Sequence, residues 1–170
     1  MNSLINFSKK IKKIIFFGYS PIIEELVNQN KKYKLETIII TSKDQLKNFK
    51  KKKYIKVFDQ INRKLINYIK NINIKNDVFF ISLGSRLIFD KNFINICSRR
   101  IVNFHCSRLP FDKGGGGYTW RILKNDRIDN QLVHLIDESI DSGSILMHQK
   151  NIFPKNLQTP LELEEYSNKN

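Results

Sequence analysis

Val78-Phe79-Phe80-Ile81-Ser82-Leu83, closed by Gly84, is the stretch that decides the fold. A six-residue run dominated by large apolar side chains has no polar face to turn to water. It therefore reads as a strand covered on both sides, the situation of a central strand in a parallel sheet. The chain on either side alternates in the same manner. Ile14-Ile15-Phe16-Phe17 is another buried strand, ending at Gly18, and Ser20 with Pro21 predicts the cap and first turn of a helix running to about Gln29. Leu35 to Thr41, rich in β-branched residues, reads as a strand, Asp44 to Lys53 as a helix and Tyr54 to Phe58 as a short strand. Ile61, Leu65, Ile66 and Ile69 recur at helical spacing and give one apolar face. A short helix around Asn92–Cys97 and a strand Ile101–Phe104 complete the pattern. Strand and helix in alternation predict an α/β fold, an open and mostly parallel sheet with helices on both faces.

Beyond Phe104 the character changes. Ser107 to Gly117 is a loop with one proline and four consecutive glycines, followed by a short helix Tyr118–Lys124. Gln131–Ile136 and Ser144–His148 read as strands flanking a turn at Asp137–Gly143, and Thr159-Pro160 opens a last helix that the chain cuts short. With no internal repeat and no linker, residues 1–170 read as one domain with a core of about 12–153. Ligands of open α/β sheets bind beyond the carboxyl ends of the strands, so the search for a site belongs in Asn103–Gly117 and Asp137–Gly143.

Composition bounds the function. A chain of 170 residues and 20.1 kDa suits a single globular domain. Cys97 and Cys106 are too few for a disulfide framework, which predicts a reducing, cytoplasmic setting. No apolar run approaches the roughly 20 residues of a membrane-spanning helix. The lysine-rich start, Met1 to Lys13, has no small-residue cleavage site and is not a secretory signal. A net charge of +14 invites a nucleic-acid reading, but residues 1–75 hold 18 of the 30 basic side chains and only 5 of the 16 acidic ones. With 23 Lys, 26 Ile, 19 Asn and no Ala, the bias reflects a genome poor in G and C. The Lys43–Lys56 stretch accordingly reads as a solvated face, lying away from the functional cleft, and not as a nucleic-acid site.

Two segments can carry chemistry. In Asn103-Phe104-His105 the residues two apart share one side of an extended segment, so an amide donor and a titratable imidazole face one cleft. That pair suits acyl chemistry, one group stabilising an oxyanion and the other handling a proton. Asp137-Glu138-Ser139-Ile140-Asp141-Ser142-Gly143 places three acids in five residues. It lacks the alternating ligands and closing Glu of a calcium loop, so a carboxylate behind the imidazole is the sharper reading. The histidines and cysteines lack zinc spacing, no Gly-x-Ser-x-Gly elbow serves Ser107, and the glycine run matches neither a P-loop nor a dinucleotide fingerprint. Cys106 turns away from His105 as a buried inert thiol, and Arg99-Arg100 reads as a solvated strand entry.

Together the two segments are far more specific. Asn103-Phe104-His105-Cys106-Ser107-Arg108-Leu109-Pro110, with Ile136 to Gly143 about 30 residues later, resembles the folate-dependent formyltransferase family. That family carries Asn-x-His followed by Ser-Leu-Leu-Pro, then a turn with its catalytic aspartate. It includes glycinamide ribonucleotide, methionyl-tRNA and sugar-nucleotide formyltransferases, and formyltetrahydrofolate deformylases. The resemblance is strong over about residues 78–150 and weaker over most of the chain, including the turn at Gly18.

The resemblance implies a Rossmann-like fold and 10-formyltetrahydrofolate as formyl donor, with no metal. It implies Asn103, His105 and Asp141 as the catalytic trio: Asn103 and a charged or donating His105 stabilise the oxyanion, and Asp141 holds the imidazole and accepts the amine's proton directly or through water. A carboxylate so close is expected to raise the His105 pKa. His134 falls where several members carry a histidine, and it also reads as a buried strand histidine. Arg86, Leu87 and Ile88 would line the pterin pocket, with Asp137, Glu138, Ser139 and Ile140 as its other wall. The turn Gly18, Tyr19, Ser20 and the run Gly114, Gly115, Gly116, Gly117 would hold the acceptor, a small-molecule amine. Arg108 departs from the usual leucine, and Gly114-Gly115-Gly116-Gly117-Tyr118-Thr119-Trp120 replaces a segment with one glycine and then a proline. The chain also stops where longer members begin a carboxyl-terminal domain. A nucleotide-linked amino sugar is therefore the first expectation for the acceptor, glycinamide ribonucleotide the second and methionyl-tRNA the third. A folate hydrolase and a non-catalytic folate-binding module are the alternatives of other classes. The sequence is silent on oligomeric state.

Overall fold

The structure, a computed structural model, describes residues 10–50 and 53–169. The amino-terminal segment read above, through residue 9, and Lys51 and Lys52 of the lysine stretch lie outside the described residues. In chain order the elements are β1 (Lys13–Gly18), α1 (Ile23–Lys32), β2 (Glu36–Thr41), β3 (Ile55–Val57), α2 (Arg63–Ile72) and β4 (Val78–Leu83). They continue with α3 (Lys91–Ile96), β5 (Ile101–His105), α4 (Gly117–Leu123), β6 (Ile128–Leu135), β7 (Ile145–Ile152) and α5 (Pro160–Ser167). One sheet runs in the order β3-β2-β1-β4-β5-β6-β7, so Val78–Leu83 is its middle strand. The first five strands in that order pair parallel, and β6 and β7 add antiparallel at one edge.

Two apolar layers hold helices against both faces. On one side Phe17, Phe80 and Ile101 pack with Leu65 and Ile69 of α2 and Phe93 and Ile94 of α3. On the other, Phe16, Ile39 and Leu83 pack with Ile23 and Val27 of α1 and with Phe49. Each fully buried side chain of this size contributes about 1.5–3 kcal/mol. Side-chain caps fix where α2 and α3 begin: Asn62 Oδ1 accepts from the Leu65 N–H at 3.0 Å, and Asp90 Oδ1 from the Phe93 N–H at 2.7 Å.

The strand order reverses between β1 and β4, where the carboxyl ends lie side by side and Gly18 pairs with Leu83. Gly18 has φ of +99°, and an added Cβ would sit 2.4 Å from the Leu83 carbonyl oxygen, so only glycine allows this approach. The crevice opened by the reversal is the ligand position of such sheets.

Several local expectations are corrected. Ser20 does not cap α1: Pro21 and Ile22 form a turn, and the helix begins only at Ile23, whose side chain is fully buried in the core. Asp44–Lys53 forms no α-helix among its described residues, only a single 3₁₀ turn, Leu46–Asn48. Its residues are claimed by distant partners: Asp44 by Arg86, Gln45 Nε2 by the Gly84 carbonyl at 2.8 Å, and Phe49 by the core. Arg100 is buried, not solvated, and its Nη1 donates to the Asn76 carbonyl at 2.8 Å. β6 and β7 run to eight residues each because they pair with one another along their length. Among the described residues no helix is long and apolar enough to cross a membrane.

Candidate active site

The centre is assembled by strand register. On β5, Asn103 and His105 face one side, while Phe104 turns to the other. β6 runs antiparallel beside it and pairs His134 with Asn103. Asn103 Nδ2 lies 3.1 Å from His134 Nε2, and His134 Nδ1 lies 2.8 Å from the Leu135 carbonyl. The carbonyl can only accept, so Nδ1 carries the proton and Nε2 accepts from the Asn103 amide. One amide N–H of Asn103 is used in this way; the second has no hydrogen-bond partner among the described residues.

Asp141 reaches the same point from the Asp137–Gly143 turn. It holds φ of +47°, a left-handed conformation that Asp tolerates better than most residues. The turn is pinned on both sides. The Ser139 N–H and the Ser142 hydroxyl donate to Asp137 Oδ1, and Gly143 packs against β6 so closely that a Cβ there would lie 1.8 Å from the Leu135 oxygen. Asp141 Oδ2 stands 3.6 Å from His105 Nε2, and Oδ1 stands 3.6 Å from His134 Nε2. The side chains of His105 and Asp141 are only 15% and 14% exposed. Asn103, His105, His134 and Asp141 thus form one connected group at the carboxyl end of β5.

Two expectations about that group change. At 3.6 Å the Asp141 carboxylate does not hydrogen-bond the His105 ring. Its Oδ2 instead accepts from the Gly114 N–H at 2.8 Å. The His105 pKa is also lowered, not raised. Burial is the largest cause; the Asp141 charge opposes it, the His134 ring adds to the lowering, a hydrogen bond to the Asp112 backbone opposes it, and Arg121 adds to it. The His105 Nε2 atom is buried and has no hydrogen-bond partner.

The remaining candidates fall into distinct places. Arg86 is ion-paired with Asp44 and Leu87 belongs to the core. Ile88 is 78% exposed and Ile140 is 64% exposed, two bare aliphatic side chains in the loops after β4 and β6. Lys91 at the start of α3 pairs with Glu138 at 3.1 Å and joins these two loops. Gly18 and Tyr19 are engaged in packing, Tyr19 edge-on to Phe49 with centroids 4.9 Å apart, and the Ser20 carbonyl accepts from the Ile23 N–H. Of the glycine run, Gly114 reaches Asp141, Gly116 takes a left-handed φ of +77° before α4, and Gly115 has open space around it.

The lysine stretch does not lie wholly apart from this edge. Lys53 and Lys56 border a cavity of about 430 Å³ with Lys31 and Glu36, at the amino-terminal end of β2. Lys43, however, sits at the carboxyl end of β2, where its N–H donates to Asp59 at 2.7 Å. Sequence reasoning did not single out Lys91, nor Phe111 and Arg121 beside the glycine loop, and it gave Trp120 no role of its own. A lone tryptophan three residues after a run of glycines was the available signal.

A family model described as formyl transferase matches residues 12–165. The methionyl-tRNA formyltransferase of Thermodesulfovibrio yellowstonii is 29% identical over 84 residues, 49% of this chain and 27% of that protein. The chain therefore spans about a quarter of the length of this curated relative. Phosphoribosylglycinamide formyltransferase from Bacillus halodurans superposes with a TM-score of 0.73 at 20% identity, over 93% of this chain and 88% of that one. The formyltransferase PseJ from Anoxybacillus kamchatkensis, in complex with UDP-4,6-dideoxy-4-formamido-L-AltNAc and tetrahydrofolate, superposes with a TM-score of 0.62 at 22% identity, over 91% and 69%. At these identities the two structures speak for the fold, a Rossmann-like sheet.

Proposed function

The chain belongs to the formyl transferase family, and from that premise we propose that it transfers a formyl group from 10-formyltetrahydrofolate to an amine, with a nucleotide-linked amino sugar as acceptor. The observation that carries this reading is the meeting of Asn103, His105, His134 and Asp141 at the carboxyl end of β5. An amide donor, a proton-accepting ring nitrogen and a buried carboxylate are what acyl transfer to an amine requires.

The attacking amine forms a bond to the formyl carbon while the bond from that carbon to N10 of the folate breaks. The free N–H of Asn103 donates to the oxygen that gains charge, worth about 10²–10³ in rate for such a donor. A lowered pKa leaves the His105 ring neutral at pH 7, so Nε2 takes the proton from the amine and gives it to the departing N10. Asp141, 3.6 Å away, stabilises the imidazolium formed in between. Formamide product and tetrahydrofolate account for every atom. His134 acts as a positioning residue, holding the Asn103 amide through Nε2. The exposed Ile88 and Ile140 fit a flat pterin, which would cover them, with the Lys91–Glu138 pair closing the two loops around it. None of these steps calls for a metal.

The sugar-nucleotide acceptor draws support from PseJ, whose complex contains a UDP-linked formamido sugar. The test is incubation with 10-formyltetrahydrofolate and a panel of amines (UDP- and GDP-linked amino sugars, glycinamide ribonucleotide, methionyl-tRNA), with products weighed by mass spectrometry. A formylated nucleotide sugar supports the reading. Formate released without an acceptor would make the protein a hydrolase, and folate binding without turnover would make it a binding module.

A further inference from the structure

A cavity of about 260 Å³ lies between the glycine loop, α4 and Asp126, outside the four-residue centre. Its charges do not cancel. Arg108 is held between Asp112, at 3.0 Å, and Asp126, at 3.1 Å, and Lys124 stands 3.7 Å from the other oxygen of Asp112. Lys113 and Arg121 have no carboxylate partner among the described residues. Four cations thus face two carboxylates. Arg121 is only 5% exposed, with both Nη atoms buried and unpartnered and its guanidinium 5.7 Å from the Tyr118 ring and 5.9 Å from the Phe153 ring. Cations left without an ion pair attract an anion to the adjoining space.

The same cavity carries aromatic surface that nothing in the chain covers. Phe111 is 86% exposed and Trp120 is 58% exposed, and both belong to the wall. Rings of this kind stack on planar heterocycles, at about 1–3 kcal/mol per base by substitution. Gly114 links the cavity to the reacting centre: it lines the wall and donates to Asp141. The volume lies below the range of roughly 300–1,000 Å³ for whole drug-sized ligands, so it suits one part of a larger molecule.

We propose that this cavity binds the nucleoside diphosphate part of the acceptor, the base on Phe111 and Trp120 and the phosphates by Lys113 and Lys124, so that the amino end passes Gly114 toward Asp141. The assignment rests on the amine-formylation reading above. It locates the half of the acceptor that does not react.

Trp120 is the only tryptophan in the chain, so its fluorescence reports on this cavity alone. The probes are UDP, GDP, uridine, inorganic phosphate and a short RNA hairpin with a free 3′ end, titrated into the full chain, with calorimetry in parallel. One of the diphosphates should change the emission saturably, and inorganic phosphate should bind about 100-fold more weakly, having no ring to stack. Changing Lys113 and Lys124 together to Ala should raise the Kd about 10-fold. Phe111→Ala should do the same, and Trp120→Phe should remove the signal but keep calorimetric binding. All of these positions are largely exposed, so the variants should fold. Binding unchanged by the Lys113, Lys124 and Phe111 substitutions would place the nucleotide elsewhere and overturn the proposal. So would tight binding of the hairpin with none of UDP or GDP. Amine formylation without diphosphate binding would sink this assignment and leave the reaction standing. Diphosphate binding here without formylation of any amine would do the reverse.

Discussion

Gly114 donates its backbone N–H to Asp141 Oδ2 at 2.8 Å, across 27 residues of chain, and is the carboxylate's only direct hydrogen-bond donor among the described contacts. Asp141 is therefore positioned by the glycine loop as well as by its own turn. Gly114 has φ of +85°, so a side chain there is strained even though space around it is open. Gly114→Ala should lower turnover about 10-fold, since misplacement of a catalytic group is costly in rate. The melting temperature should move by no more than a few degrees, because the loop is half exposed. Unchanged turnover would mean that Asp141 holds its place without the loop.

Asp141→Asn separates charge from shape. The neutral amide removes the main influence that raises the His105 pKa, so that pKa should fall further. The imidazolium formed during transfer then loses its counter-charge, and turnover should fall at least ~100-fold, taking general acid–base catalysis as the guide. Folate affinity should change less than about threefold, because the exposed Ile88 and Ile140 are untouched. Turnover and folate binding measured on one preparation decide it. Near-normal turnover would remove Asp141 from the mechanism.

His134 tests positioning. Replacing it with Phe keeps a ring in the buried site but leaves the Asn103 amide and the Leu135 carbonyl unpaired, at about 1–3 kcal/mol of stability for each lost partner. The expected kinetic signature is a fall in kcat of about 10–100-fold with the acceptor KM within about threefold, because only the transition state uses the aimed amide. His134→Gln, which can still accept from Asn103, should recover part of kcat. A change confined to KM would assign His134 to acceptor binding.

His105 should make stability depend on pH. Its folded pKa lies below the ordinary 6.5, so the unfolded chain takes the proton first as pH falls. This residue's contribution is complete above 6.5 and is lost between 6.5 and the lower folded value. Urea denaturation from pH 7.5 down to 5 should show that loss, and His105→Gln should flatten it. Parallel curves for the two proteins would mean that the ring is not held neutral.

Gly143→Ala should cost more than any other glycine substitution outside β1. Its Cβ would meet the Leu135 oxygen at 1.8 Å, and a backbone atom cannot swing aside as a side-chain tip can. We expect at least about 2 kcal/mol of destabilisation by urea titration, in the class of overpacking against fixed structure. A loss below half of that would show that the turn can shift as a unit.

The sheet was legible because its strands are covered on both faces: Ile14–Phe17 and Val78–Leu83 leave no polar side, and no other element explains such runs. The Asn103 and His105 pairing was legible because strand alternation alone puts both on one side. The Asp44–Lys53 segment was misread because Asp44, Gln45 and Phe49 answer to Arg86, Gly84 and the core, partners that local propensity does not contain. Arg100 was misread for the same reason. Burial is equally absent from a local pattern, and burial is what turned the His105 pKa downward despite the carboxylate nearby. The Gly114 hydrogen bond was invisible, since nothing in four glycines says which distant carboxylate their amides will meet.

The Asn103 and His134 pairing across β5 and β6 has a consequence for quality control. Successive strand residues point to opposite faces, so a slip of β6 by one position would set Val133 or Leu135 opposite Asn103 and send His134 to the wrong side. Such a slipped molecule would keep its secondary structure and most of its bulk spectroscopic signature while losing the acceptor of the Asn103 amide. Specific activity per mole of folded chain, and not circular dichroism, is therefore the sensitive gauge of whether a preparation has zipped β6 onto β5 in phase.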